Sequence, residues 1–156
     1  MNRLISEKWS WIEAIHDMRS QLFDLLSDAD LAFTPGGQNM TLGALCFQMG
    51  ETEHSYLQSL KTFRHEWSYG TADADVVSSV ARLKAWFQGL DDEMQAVMAA
   101  FSEEENKTIE RGGEAVTVEF QLDVYVQAVL IFLGKATIYL KAMNKLLPES
   151  FQEYIG

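Results

Sequence analysis

The sequence predicts an all-α protein built as a single four-helix bundle. Four long segments carry apolar residues at three- and four-residue steps, and turn-rich stretches separate them. No internal repeat or low-complexity segment interrupts that pattern, and 156 residues fit one domain, 1–156, with one sizeable core.

The first segment runs roughly over 3–28, with Leu4, Trp11, Ile15, Met18, Leu22 and Leu26 recurring on one stripe. It ends before "TPGGQN", where Pro35, Gly36 and Gly37 preclude a continuing helix. The second runs from Thr41, a fitting N-cap, to about Phe63, with Leu42, Leu45, Met49, Tyr56 and Leu60 on its stripe. "EWSYGTADAD" breaks the pattern. The third, about 75–102, carries Val76, Val80, Leu83, Phe87, Leu90, Met94, Val97 and Phe101. "TIERGGEAVTV" is β-branched on both flanks and centred on Gly112-Gly113, which predicts a short hairpin or irregular arm. The fourth helix opens near Thr117 and stops before Pro148. Its residues 124–134 are apolar almost all round, Gln127 excepted, and a helix apolar on every side is buried on every side. A homodimer through this last helix is therefore expected.

A net charge of −11 leaves no basic stripe for a phosphate backbone, so no nucleic-acid partner is expected. The single Cys46 cannot form an internal disulfide, which fits a reducing compartment. The start, "MNRLISEKWSWIEAIHD", has charges throughout and no apolar h-region. The longest nearly apolar run, 124–134, is about half of what a bilayer crossing needs, so no membrane partner is expected. Together these features point to a cytoplasmic protein.

Two Glu-x-x-His pairs, "EAIH" at 13–16 and "ETEH" at 51–54, have the spacing of half a ferritin-like di-iron site. Facing argues against it. With Met49 as the core direction, Glu51 and His54 lie about 160° and 140° away; with Ile15 as reference, Glu13 lies about 160° away and His16 about 100°. Glu93, Glu119 and Asp123 fall off the centres of their stripes as well. The pairs read as solvated faces, with His16 at most at the core's edge. Cys46 reads as a small hydrophobe, and His65 in "FRHEW" as exposed where the second helix frays. Trp9, Trp11, Trp67 and Trp86 read as packing residues, and no phosphate loop or nucleophile elbow is present.

The stretch "FTPGGQNMTLGALCFQMGETEHSYL" resembles a signature of the DinB-like superfamily, the DNA-damage-inducible four-helix bundles, through Pro35, Gly36, Thr41, Leu42, Gly43, Leu45 and Glu51 or Glu53. The last helix resembles the second signature of that family through Gly134 and the "IYLKAM" after it. Helix order, the long crossover and the Gly-containing arm extend the likeness over most of the chain. The resemblance implies three His ligands for a divalent metal such as nickel or zinc, one on the second helix and two, four apart, on the last. It also implies a metal-dependent thiol transferase or isomerase.

At those positions this chain has Gln48, then Ala128 and Phe132, or Gln127 and Ile131 with a one-residue slip; no His follows residue 65. A neutral amide is a poor ligand and hydrocarbon offers no lone pair. What carries over is the bundle, the tendency to dimerise, and a pocket at Gln48, Gln127, Ala128, Ile131 and Phe132. Gln48 is either a buried or half-buried amide, partnered by Gln127 or a backbone carbonyl, or an exposed flank residue. The expectation is a DinB-like protein without metal or catalytic residues that binds a small ligand or acts as a dimeric interaction protein. The alternative is a metal-dependent thiol transferase or hydrolase with a rebuilt ligand set from His16, His54 and an acidic residue.

Overall fold

A computed structural model describes residues 3–102 and 106–155. Helices α1 (Arg3–Asp24), α2 (Leu42–Thr62), α3 (Val80–Ala100) and α4 (Val118–Ala142) pack around one core. A hairpin of β1 (Thr108–Arg111) and β2 (Glu114–Thr117) precedes α4, and a short α5 (Glu149–Tyr154) follows it. Both α1 and α2 contact α3 and α4. The fold is the all-α bundle with a hairpin arm that the periodicity predicts.

Helix α1 stops at Asp24 rather than near 28. Ser27 instead opens a 3-10 turn, Asp28–Ala32, with Asp30 Oδ2 accepting from the Ser27 backbone N–H at 2.8 Å. The buried stripe of α1 passes through Ile12, Ile15, Met18 and Leu22, while Trp11 stands in solvent. The Leu4 side chain lies outside the described residues. Trp67 is exposed too, so two of the four tryptophans are surface residues; Trp9 and Trp86 pack on the core.

In α2, the Thr41 hydroxyl accepts from the Ala44 N–H, and Phe63 ends the helix in a left-handed conformation, φ 57°. Gly43 is a close approach: a Cβ there would sit 1.9 Å from the Val77 carbonyl oxygen, so only glycine lets α2 lie against the 3-10 turn Ala74–Ser78. That turn replaces the first residues expected of the third helix. Ser79, extended at φ −137°, separates it from α3 and caps α3 by accepting from the Arg82 N–H.

The hairpin pairs Thr108 with Thr117 and turns at Gly112-Gly113, both at positive φ as a tight two-residue turn requires. It also corrects the reading of His65. Glu110 accepts from the His65 N–H at 2.8 Å and donates to the Phe63 carbonyl at 2.9 Å. The chain after α2 is thereby pinned, and His65 is buried with its Nδ1 2.8 Å from Gln121 Nε2.

Thr117 caps α4 through the Phe120 N–H; the helix ends at Ala142, where Asn144 takes φ 55°. By length and composition α4 could cross a membrane, yet Tyr125, Val129, Phe132, Leu133, Ala136 and Leu140 are buried within the bundle, as in a core helix. The expected all-round burial does not occur in one chain. Phe120 is 49% exposed, Ile131 60% and Ile138 61%. A bundle of four helices covers only the inward side of α4.

Candidate functional site

The positions implicated by the resemblance come together on the surface between α2 and α4. Gln48, Ala128, Ile131 and Phe132 line a groove of about 270 Å³ with Leu45, Met49, Thr52 and Lys135. An adjoining hollow of about 200 Å³ shares Leu45, Gln48 and Lys135 and adds Asn39, Ile138 and Tyr139. Gln127 is exposed and lines neither hollow; Gln48 is exposed, which settles its two readings in favour of the flank position. Among the described residues Lys135 has no carboxylate partner. The donor set at these positions is one neutral amide beside Ala, Ile and Phe, which does not fit a divalent metal.

A second constellation lies inside the bundle and contains none of those residues. Each long helix contributes to it: His16 and Arg19 from α1, Glu53 from α2, Asp91 from α3 and Tyr125 from α4. These positions share the apolar stripes. Arg19 follows Ile15 by four, Glu53 follows Met49 by four, Asp91 follows Phe87 by four, and Tyr125 precedes Val129 by four. Arg19 is 1% exposed and Glu53 2%. Arg19 Nη1 donates to Glu53 Oε1 at 2.6 Å, and Nη2 donates to both Asp91 oxygens at 2.6 Å. The guanidinium lies over the Phe87 ring, 4.5 Å from its centroid. His16 Nδ1 approaches Asp91 Oδ1 to 3.0 Å and its Nε2 approaches Tyr125 Oη to 2.6 Å; Tyr125 Oη lies 2.7 Å from Glu53 Oε1.

Burial sets the protonation states. It pushes the His16 imidazole down to about 2, with the Arg19 charge adding to the effect, so the ring is neutral. It pushes Glu53 up to about 7, against the pull of Arg19, and raises Asp91 and Tyr125 as well. The chain Asp91–His16–Tyr125–Glu53 has three short contacts, each needing one hydrogen to be attractive. A neutral His and a Tyr supply two. The Tyr125 hydroxyl donates to Glu53 Oε1, and the third hydrogen is a proton on the pair of buried acids, Glu53 and Asp91, both of which burial raises. With that proton the cluster is electrically neutral: Arg19 against one carboxylate, everything else uncharged.

His16, Glu53 and Asp91 present donor atoms within 4.8 Å of one another, the spacing of a metal triad. The arrangement does not call for one. Arg19 already sits between the two carboxylates, and a divalent ion would add its charge beside a guanidinium with no anion left over. The cluster's one edge toward solvent is at Arg19 and Asp91, which line a cleft of about 240 Å³ between α1 and α3. His54 stands apart: its Nδ1 lies 3.1 Å from the Gly70 carbonyl oxygen. Of the rebuilt set, His16 thus joins acidic partners and His54 does not. Glu13 is exposed, Glu51 lies beside Gly70, Glu93 pairs with Lys61, and Glu119 and Asp123 face Lys8, so no di-iron set assembles among the described residues.

No family model and no curated protein matches the sequence. Among solved structures the chain is similar to a DinB-like protein, YjoA, from Bacillus subtilis. The TM-score is 0.68 at 16% identity, over 94% of this chain and 96% of that one. At such identity the likeness shows the fold, and the fold is DinB-like.

Proposed function

We propose that this DinB-like bundle is a metal-free binding protein that takes a small acidic, amphipathic molecule in the groove between α2 and α4. One observation carries the reading: Gln48, Ala128, Ile131 and Phe132 line a single groove and offer no metal donor set. The groove's chemistry suggests the ligand class. Leu45, Met49 and Phe132 form an apolar floor, and Lys135 is a cation without a carboxylate partner among the described residues, in a chain of net charge −11. A carboxylate on a short apolar body matches both. Octanoate is a suitable probe for calorimetric titration. Saturable one-site binding is expected, weakened at least tenfold in Lys135→Glu; absence of binding, or binding indifferent to that substitution, overturns the reading.

A second reading, the metal-dependent transferase or hydrolase, draws support from the triad spacing of His16, Glu53 and Asp91. It requires Arg19 to leave the carboxylates it bridges. Stoichiometric zinc or nickel lost in His16→Ala would favour it over the first.

A further inference from the structure

Two hollows meet at Lys135. The α2–α4 groove, about 270 Å³, and the adjoining hollow, about 200 Å³, share Leu45, Gln48 and Lys135 along their common edge. Neither alone reaches the roughly 300 Å³ at which small-molecule pockets begin, whereas the pair does. Their chemistries differ. Beyond the shared edge the larger lobe is apolar, lined by Met49, Ala128, Ile131 and Phe132; the one hydroxyl there, on Thr52, already donates to the Gln48 carbonyl at 2.9 Å. The smaller lobe carries the side-chain amides of Gln38 and Asn39 beside Ile138 and Tyr139. Its loop is fixed in place. The Tyr139 hydroxyl donates to the Met40 carbonyl at 2.7 Å, the Thr34 hydroxyl to the Asn39 carbonyl at 2.9 Å, and Asn39 Nδ2 to the Gly36 carbonyl at 2.8 Å. Among the described residues, the side-chain amides of Gln38 and Gln48 and the Lys135 ammonium have no hydrogen-bond or ion-pair partner.

We infer that the two hollows form one bilobed site for an N-acylated amino acid whose side chain is polar and uncharged. Such a molecule branches at its α-carbon. A carboxylate and an amide nitrogen are bonded to the branch, the acyl chain leaves on one side and the side chain on another. The shared edge supplies what the branch needs: a cation at Lys135 for the carboxylate, and at Gln48 a carboxamide that donates to the amide carbonyl and accepts from its N–H. The acyl chain then lies along Met49 and Phe132, where hydrocarbon gains by leaving water, and the side chain meets Gln38. A plain fatty acid fills one lobe and leaves both free amides unused. An acidic side chain would bring a second anion to a lobe whose single cation is already engaged, in a chain of net charge −11. This ligand class rests on the acidic amphipathic ligand proposed for the groove, and adds to it the amide and the second lobe.

Calorimetric titration of the full chain with octanoate, N-octanoylglycine and N-octanoyl-L-glutamine separates the contributions. N-Octanoyl-L-glutamine is expected to bind about tenfold more tightly than octanoate, with N-octanoylglycine between them. Gln48→Leu is expected to remove the step from octanoate to N-octanoylglycine, and Gln38→Leu the step from N-octanoylglycine to N-octanoyl-L-glutamine. Both positions are exposed, so neither variant disturbs the core. Octanoate that binds through Lys135 with no gain from either acylated amino acid overturns the bilobed site and leaves the groove proposal standing. A gain that survives both Gln48→Leu and Gln38→Leu overturns the bilobed site too. Failure of all three compounds to bind overturns the groove proposal and the bilobed site together.

Discussion

Arg19→Met is expected to cost about 3–5 kcal/mol of stability, because it leaves a buried carboxylate without its counter-charge. For a chain of this size that corresponds to a fall in Tm of roughly 10–15 °C. The guanidinium supplies three short hydrogen bonds, to Glu53 and to both Asp91 oxygens, and rests on Phe87. Methionine preserves much of the volume and the contact with the ring but does not balance the remaining carboxylate. The loss comes from stranded charge, so removing the acids as well restores much of it: Arg19→Met with Glu53→Leu and Asp91→Leu is expected to be far more stable than the single variant. Urea unfolding at constant m-value measures both. A cost below about 1 kcal/mol for the single variant contradicts the proposed role of Arg19 as the charge that joins α1, α2 and α3.

Glu53→Gln is expected to change the shape of the stability–pH curve. The unfolded glutamate releases its proton near 4.5, whereas burial holds the folded group's release up to about 7. Over that interval the folded state binds the extra proton. Stability from this group is thus fully present below 4.5 and is lost as pH rises through 7, by on the order of 3 kcal/mol. His16 acts in the opposite sense. Its folded value near 2 lies below the unfolded 6.5, so stability is lost as pH falls from 6.5 toward 2, and His65, held near 4 mainly by burial, adds to that loss. Wild type should therefore lose stability on both sides of mildly acidic pH. Glu53→Gln keeps the acid limb and flattens the rise-in-pH limb, leaving only what Asp91, shifted in the same direction, contributes. Urea midpoints at pH 5, 6, 7 and 8 separate the cases. Parallel curves for wild type and variant show that Glu53 does not hold the proton.

Most of the fold was legible because its signals are local. Thr41 and Thr117 cap helices where a hydroxyl precedes an apolar repeat, and Gly112-Gly113 turns a hairpin between β-branched flanks. Features set by distant contacts were not legible. His65 is buried because the hairpin, more than forty residues on, accepts its N–H; α5 and the 3-10 turns are too short to show periodicity. The groove was reached through the resemblance, not through any property of Gln48 or Phe132 themselves. The charged cluster was missed although its signal was present. Glu-x-x-His spacing points to Glu51 and His54, which face outward, while Glu53 lies on the Met49 stripe. Arg19 and Asp91 interrupt stripes in the same way. Ionisable residues at core positions of different helices have no solvent to face, so they face one another.

Arg19 and one proton balance the charge of the core, and the surface groove at Gln48 and Phe132 offers no metal donors. Metal content of untagged protein, measured by mass spectrometry after incubation with nickel and zinc and exhaustive dialysis, tests both at once. Well under a tenth of an equivalent is expected for either metal, in wild type and in Gln48→Ala and His16→Ala alike. One retained equivalent per chain, lost in either variant, would contradict it.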